Sequence, residues 1–456
     1  MKMSRKISRF ANVFLALLLL CGLLAGCGGG GGSTSTSGGS TGGSAPASTT
    51  TGSSTASAGP SVYFLNANAD KDAQWQALAK AYTEETKVDV KVVSPAAAQY
   101  DSTLKTELAK TSGAPTLFQV NGPMGVVSYG DKAYDLTGSQ VYGELTSDYF
   151  ALKDGSAVSG IAYMIDSFGL IFNKDLLKTA GYEQDDVMNF FRLREAVNDI
   201  TARKEELGFV AFATTGMDPS SSQRITRMIT NLAIFHEYDF DKKLTSHEIK
   251  CTYHDQWKNV LDMYTNNNST VPRKELSTKT MADSIGEFTS EKAVFMLNKA
   301  SVYDQIKSLG DDKLGMMPML SSAYAEDRFG LCTGSDSFWM VNKGASADSI
   351  KATLDFMYWC VTSDAGVEAL CKDMGYQIPY KKNTTSNVLT KIADAYIADG
   401  KIPMSWAYTT MPSKDWEDLL GSTVLEYFAG TKTNTDMQNV FRKAWAAEYA
   451  KVYGAP

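Results

Sequence analysis

Histidine is nearly absent from this 456-residue chain: only His236, His247 and His254 occur. His247-Glu248-Ile249-Lys250-Cys251 has the first half of a two-histidine helical zinc pattern, but Cys251 stands where the second imidazole belongs. Neither a metal nor any other cofactor is therefore expected. The Gly-x-Ser-x-Gly match at Gly38 to Gly42 falls in the low-complexity run after residue 27, away from any strand-to-helix turn, and that run is the only glycine-rich one, so neither a nucleophile elbow nor a phosphate-cradling loop is read. Long basic runs are missing as well, which argues against a nucleic-acid partner. No fixed-period repeat is visible, so solenoids and propellers are excluded. Cysteine is sparse, at six, and Cys251, Cys332, Cys360 and Cys371 are too irregularly spaced to read as a disulfide framework. Small buried thiols are expected, with a Cys360–Cys371 bridge as the alternative.

What is present begins with an address. Lys2, Arg5, Lys6 and Arg9 precede an uncharged apolar run, Phe10 to Ala25, that ends in small residues. That is the layout of a secretory signal, and the run falls short of the ~20 residues a membrane span needs. Leu24-Ala25-Gly26-Cys27 resembles the bacterial lipobox, which implies acylation of Cys27 and removal of residues 1–26. Residues 27–60, almost wholly Gly, Ser, Thr and Ala, form a low-complexity spacer. The expected location is the extracellular face of the cytoplasmic membrane, of the Gram-positive type, through a lipid anchor.

The signal carries four basic and no acidic residues, so the remainder holds 40 basic against 51 acidic residues, a charge of −11. About 396 residues follow the spacer, too many for one compact core, so two lobes are expected. Ser61–Leu65 is a short β-forming run. Trp75, Leu78, Ala79 and Tyr82 then recur at helical spacing, and Val88, Val90 and Val92 alternate with polar residues. Strand, helix, strand within this span makes a βαβ unit and an α/β class with parallel pairing. Further strands are read at 115–120, 169–172, 207–214, 293–297 and 338–341, and helices at 104–110, 257–264, 350–361 and 437–452.

In open α/β sheets ligands bind beyond the carboxyl ends of strands. Asn66 to Lys71 is the first such end, and Asn68, Asp70 and Lys71 offer donors and acceptors for hydroxyls. Asn68 or Asp70 also suits helix capping. Asn121 follows the strand ending at Val120, and Ser335 and Asp336 precede Phe338-Trp339-Met340. Asp166 precedes the strand at 169–172, where a chain would cross between lobes. Trp406 and Trp416 bracket a loop containing Tyr408; such rings either stack on sugar faces or pack into a core.

Gly169-Leu170-Ile171-Phe172-Asn173-Lys174-Asp175-Leu176-Leu177 resembles a segment of the maltose-binding-like family 1 of extracellular solute-binding proteins, receptors of carbohydrate ABC importers. Phe172 stands where tyrosine is usual. Gly113 to Phe118 resembles the family's entry to its third strand, with Thr116 for aspartate, and Phe288 to Phe295 and Ser363 to Gly366 resemble later segments in order. The resemblance implies two α/β lobes on a multi-segment hinge, one from 61–164 plus 331–375, the other from 169–325 plus 379–456. It implies Asp70, Lys71 and Asp166 as hydroxyl ligands and Tyr303 and Trp416 as stacking platforms. Ser301 falls where maltose binders carry a stacking tryptophan, which argues against maltose itself.

The function implied is a monomeric, membrane-tethered receptor that delivers an oligosaccharide to ABC permease subunits, with no catalysis. The alternatives are a tethered glycoside hydrolase, since paired carboxylates are abundant, an adhesin or scaffold with no small ligand, and a receptor for a non-sugar solute.

Overall fold

The computed structural model describes residues 60–454, apart from 97–98, 238–248, 251–252, 269–270 and 323–325. The signal, Cys27, the spacer up to Gly59, His247 and Cys251 lie outside the described residues. Among the described residues no helix is long and apolar enough to cross a membrane.

Two six-stranded sheets organise the described residues, one in each lobe. In the first, β1 (Ser61–Leu65) pairs in parallel with β2 (Asp89–Val93) on one side and β3 (Leu117–Val120) on the other. The sheet continues through β11 (Phe338–Val341) and β5 (Ala157–Ala162) to β4 (Ala151–Asp154), each antiparallel to its neighbour. Strand alternation fills both faces. Phe64, Leu117 and Trp339 pack with Trp75 on one side, and Leu65, Phe118 and Met340 pack with Tyr100 on the other.

The second sheet is centred on β6 (Asp166–Asn173), whose eight residues are all buried. β8 (Ala293–Lys299) and then β7 (Val210–Phe212) lie on one side. β10 (Phe329–Gly334) and β9 (Leu314–Met317) share the other, and β12 (Ile402–Met404) extends beyond β10. Only β7–β8 and β10–β12 are parallel, so the expected parallel pairing holds for the first three strands and not here. β8, β9 and β10 all run antiparallel to β6 and crowd against it. Gly169 permits this crowding, because a Cβ there would lie 2.4 Å from the Met317 carbonyl oxygen. Asn173 ends β6 and caps the next helix, its Oδ1 accepting the N–H groups of Asp175 and Leu176.

Hydrogen bonding moves two expected lobe boundaries. Leu331 to Gly334 belongs to the second sheet, not the first, since Cys332, Thr333 and Gly334 pair with Phe168, Ser167 and Asp166. Residues 379–380 stay on the first lobe, where the Tyr380 hydroxyl donates to the Ala162 carbonyl at 2.8 Å and Pro379 accepts the Thr146 N–H. The chain crosses between lobes at 163–165, at 335–337 and again before Asn387, whose amide donates to Ala300. Cys332 and Cys360 are buried free thiols and Cys371 is a half-buried one, with no bridge between 360 and 371.

Candidate ligand-binding cleft

A partly open cleft of about 610 Å³ lies between the lobes at the carboxyl ends of the first-lobe strands. The loop after β1 builds its first wall. Asn66 is buried, and its side chain closes the loop by donating to the Asn68 carbonyl and accepting the Asn68 N–H. Asn68 is thereby aimed, and its Nδ2 donates to the hydroxyls of Tyr163 at 2.7 Å and Tyr376 at 3.2 Å. Tyr163 stacks on Trp339 with ring centroids 5.0 Å apart, which fixes its plane. At the end of β3, Gln119, Val120 and Asn121 continue the wall. Tyr100 reaches this edge, where its hydroxyl accepts the Gln119 N–H at 2.9 Å.

The hinge segment 335–337 forms the floor. Ser335 shapes it as a turn, its Oγ accepting the Ser337 N–H at 2.8 Å. Asp336 faces the cleft, 3.8 Å from Lys299, whose ammonium lies 4.3 Å from the Trp406 ring centroid. On the second lobe, Arg227 and Glu417 form a two-point ion pair beside Tyr408, whose burial pushes its hydroxyl well above the ordinary range. Thr409, Met411 and Lys414 complete that wall.

Of the residues expected at the site, Asn68, Asn121 and Asp336 line the cleft. Asp70 is exposed on the turn Ala69–Lys71, Lys71 is half-buried there, and neither lines it. Asp166 is buried at the start of β6, where its carboxylate accepts the Ser167 and Ser301 N–H groups. Burial raises its pKa, with Lys299 opposing, and it does not line the cleft. Ser335 acts on the hinge turn. Tyr303 lies outside the lining, its hydroxyl donating to Asp311 at 2.8 Å. Trp416 is the clear correction: at 1 % exposure it packs edge-on against Phe441 and Trp445, and its Nε1 donates to the Val440 carbonyl. It is a core residue and offers no face to a ligand.

Sequence reasoning missed Gln119, Tyr163, Arg227 and Glu417. For Tyr408 the only available signal was its place between two tryptophans.

Residues 77–404 match the profile of the bacterial extracellular solute-binding proteins. No curated protein sequence matches the chain. Among solved structures, the fold is similar to a family 1 extracellular solute-binding protein from Bifidobacterium longum subsp. infantis, with a TM-score of 0.66 at 19 % identity, covering 86 % of this chain and 99 % of that one. Apo RafE from Streptococcus pneumoniae gives a TM-score of 0.66 at 13 % identity, over 87 % and 99 %. A sugar transporter protein from Bacillus licheniformis, solved with stachyose, gives 0.59 at 15 %, over 85 % and 100 %.

Proposed function

The chain belongs to the bacterial extracellular solute-binding proteins, and from that premise we propose that it captures an uncharged oligosaccharide between its lobes. A family of solute binders sets aside the hydrolase alternative. The observation that carries the sugar reading is the pairing of charge in the cleft. Arg227 is matched by Glu417, Asp336 by Lys299 and Lys414 by Asp418, so that among the described residues Asp101 is the one lining charge outside a salt bridge and the remaining polar lining is amides, hydroxyls and tyrosines. Amides both donate and accept, as a rim of hydroxyls requires, and tyrosine faces cover the apolar side of a sugar ring. The volume suits a small-ligand site. The stachyose held by the Bacillus licheniformis protein, and raffinose held by RafE, support the same solute class.

Closure of the lobes would follow from contacts that only the closed state makes to both walls. Acylation at Cys27, with the spacer as a leash, would keep the receptor beside a membrane permease and raise their effective concentration. The test is calorimetry on the secreted chain with Cys27→Ser, using stachyose, raffinose and the polyamine spermidine. Binding of a neutral sugar but not spermidine is the expected result. Spermidine binding alone would replace the reading by that of a cation receptor, and radiolabelled palmitate on the Cys27 chain tests the anchor.

A further inference from the structure

Gln119 holds the one side-chain amide of the first-lobe wall that is enclosed and half satisfied. It is 2 % exposed and lines the cleft at the carboxyl end of β3. Its Oε1 accepts the N–H of Ala67, another residue of the lining, and that bond fixes which end of the amide is oxygen. Its Nε2 has no hydrogen-bond partner in the protein. The main chain cannot swing to find one. Tyr100 accepts the Gln119 N–H and lies 3.0 Å from its carbonyl oxygen, and β3 is hydrogen-bonded to β11 with Gln119 opposite Trp339. Folded proteins rarely leave an enclosed donor unmet, because its desolvation is not returned by any bond.

We propose that Gln119 is a specificity-determining residue whose Nε2 donates to an acceptor oxygen of the bound solute. The inference rests on the sugar reading above and deepens it. With Oε1 holding the Ala67 N–H, the unpartnered atom at this position is a donor. A hydroxyl, ring or glycosidic oxygen satisfies it, whereas an ammonium group meets a second donor and is rejected. Asn68, its Nδ2 donating to the hydroxyls of Tyr163 and Tyr376, lines the same wall.

The experiment compares the full secreted chain carrying Cys27→Ser with its Gln119→Glu and Gln119→Met variants, titrated calorimetrically with stachyose and raffinose. Gln119→Glu retains an acceptor for Ala67 and turns the free donor into a second acceptor. Gln119→Met keeps the length and removes both, so it serves if the first variant does not fold. At least tenfold weaker sugar binding, with the melting temperature of the free protein changed by only a few degrees, is the expected result. Wild-type binding with both variants within twofold overturns the inference and leaves the sugar reading standing. If the wild type binds neither sugar, the sugar reading fails and the inference falls with it.

Discussion

Glu417 holds Arg227 through two parallel hydrogen bonds, Nε to Oε1 at 3.0 Å and Nη2 to Oε2 at 2.9 Å. Thr226 adds a third bond to Oε1 at 2.8 Å. The two-point geometry is more directional than a single contact, so it ties the helix Lys414–Phe428 to the π-helical turn Arg224–Ile229. It also holds the guanidinium 6.0 Å from the centroid of the Tyr408 ring. The second-lobe wall is thereby set before any ligand arrives.

Breaking this pair should cost more from one side than from the other. Arg227→Ala strands a carboxylate whose side chain is only 7 % exposed, and a loss of about 2–3 kcal/mol in urea unfolding is expected. Glu417→Gln keeps an acceptor for Thr226 and leaves the more exposed guanidinium with water, so about 1 kcal/mol is expected. Equal losses for the two variants would contradict the asymmetry.

What was legible in the sequence was local. Val90 and Val92 alternate into β2, and Trp75, Leu78, Ala79 and Tyr82 are the buried face of the helix Asp72–Thr86. The cleft, by contrast, is made of distant partners: Arg227 and Glu417 are 190 residues apart, and Asn68 and Tyr163 are 95 apart. No local period encodes such meetings. Trp416 shows the limit most plainly, because an aromatic at the start of a helix reads the same whether it faces a ligand or the rings of Phe441 and Trp445.

Trp416 should therefore act on stability. Trp416→Ala empties a site enclosed by two aromatic rings and removes one of the two donors to the Val440 carbonyl, and about 3–5 kcal/mol should be lost in denaturant unfolding. Trp416→Phe should cost less. The folded fraction of the phenylalanine variant should bind stachyose within about twofold of wild type, and a selective loss of affinity at unchanged stability would restore Trp416 as a platform.

Gly122 sets how closely the lobes approach. Its φ of 71° and ψ of −156° are open essentially to glycine alone, and a Cβ would lie 3.0 Å from that of Thr409 on the opposite lobe. Gly122→Ala should cost roughly 1–3 kcal/mol through backbone strain and also wedge the cleft. Adding Thr409→Gly removes the wedge but not the strain. Sugar affinity should recover in the double variant while the melting temperature stays low; recovery of both, or of neither, would separate the two effects differently.

Acid should weaken the fold through His236 before the carboxylates matter. Burial lowers its pKa from 6.5 to about 4, among Phe235, Tyr253 and Phe329. A depressed imidazole stays neutral in the fold while the unfolded chain takes up a proton, so its stabilisation is complete above pH 6.5 and declines toward pH 4. At pH 4.5 roughly 2 kcal/mol should be gone. His254, also lowered by burial, adds to the same slope. Asp166 and Asp394, raised by burial, work in the opposite direction, so their contribution falls as pH rises. Lowered carboxylates such as Glu107 and Asp218 lose their contribution only below their ordinary range. Subtracting the pH profile of His236→Gln from that of wild type isolates the imidazole. A difference that is flat between pH 6.5 and 4.5 would show that His236 is hydrated in the native fold.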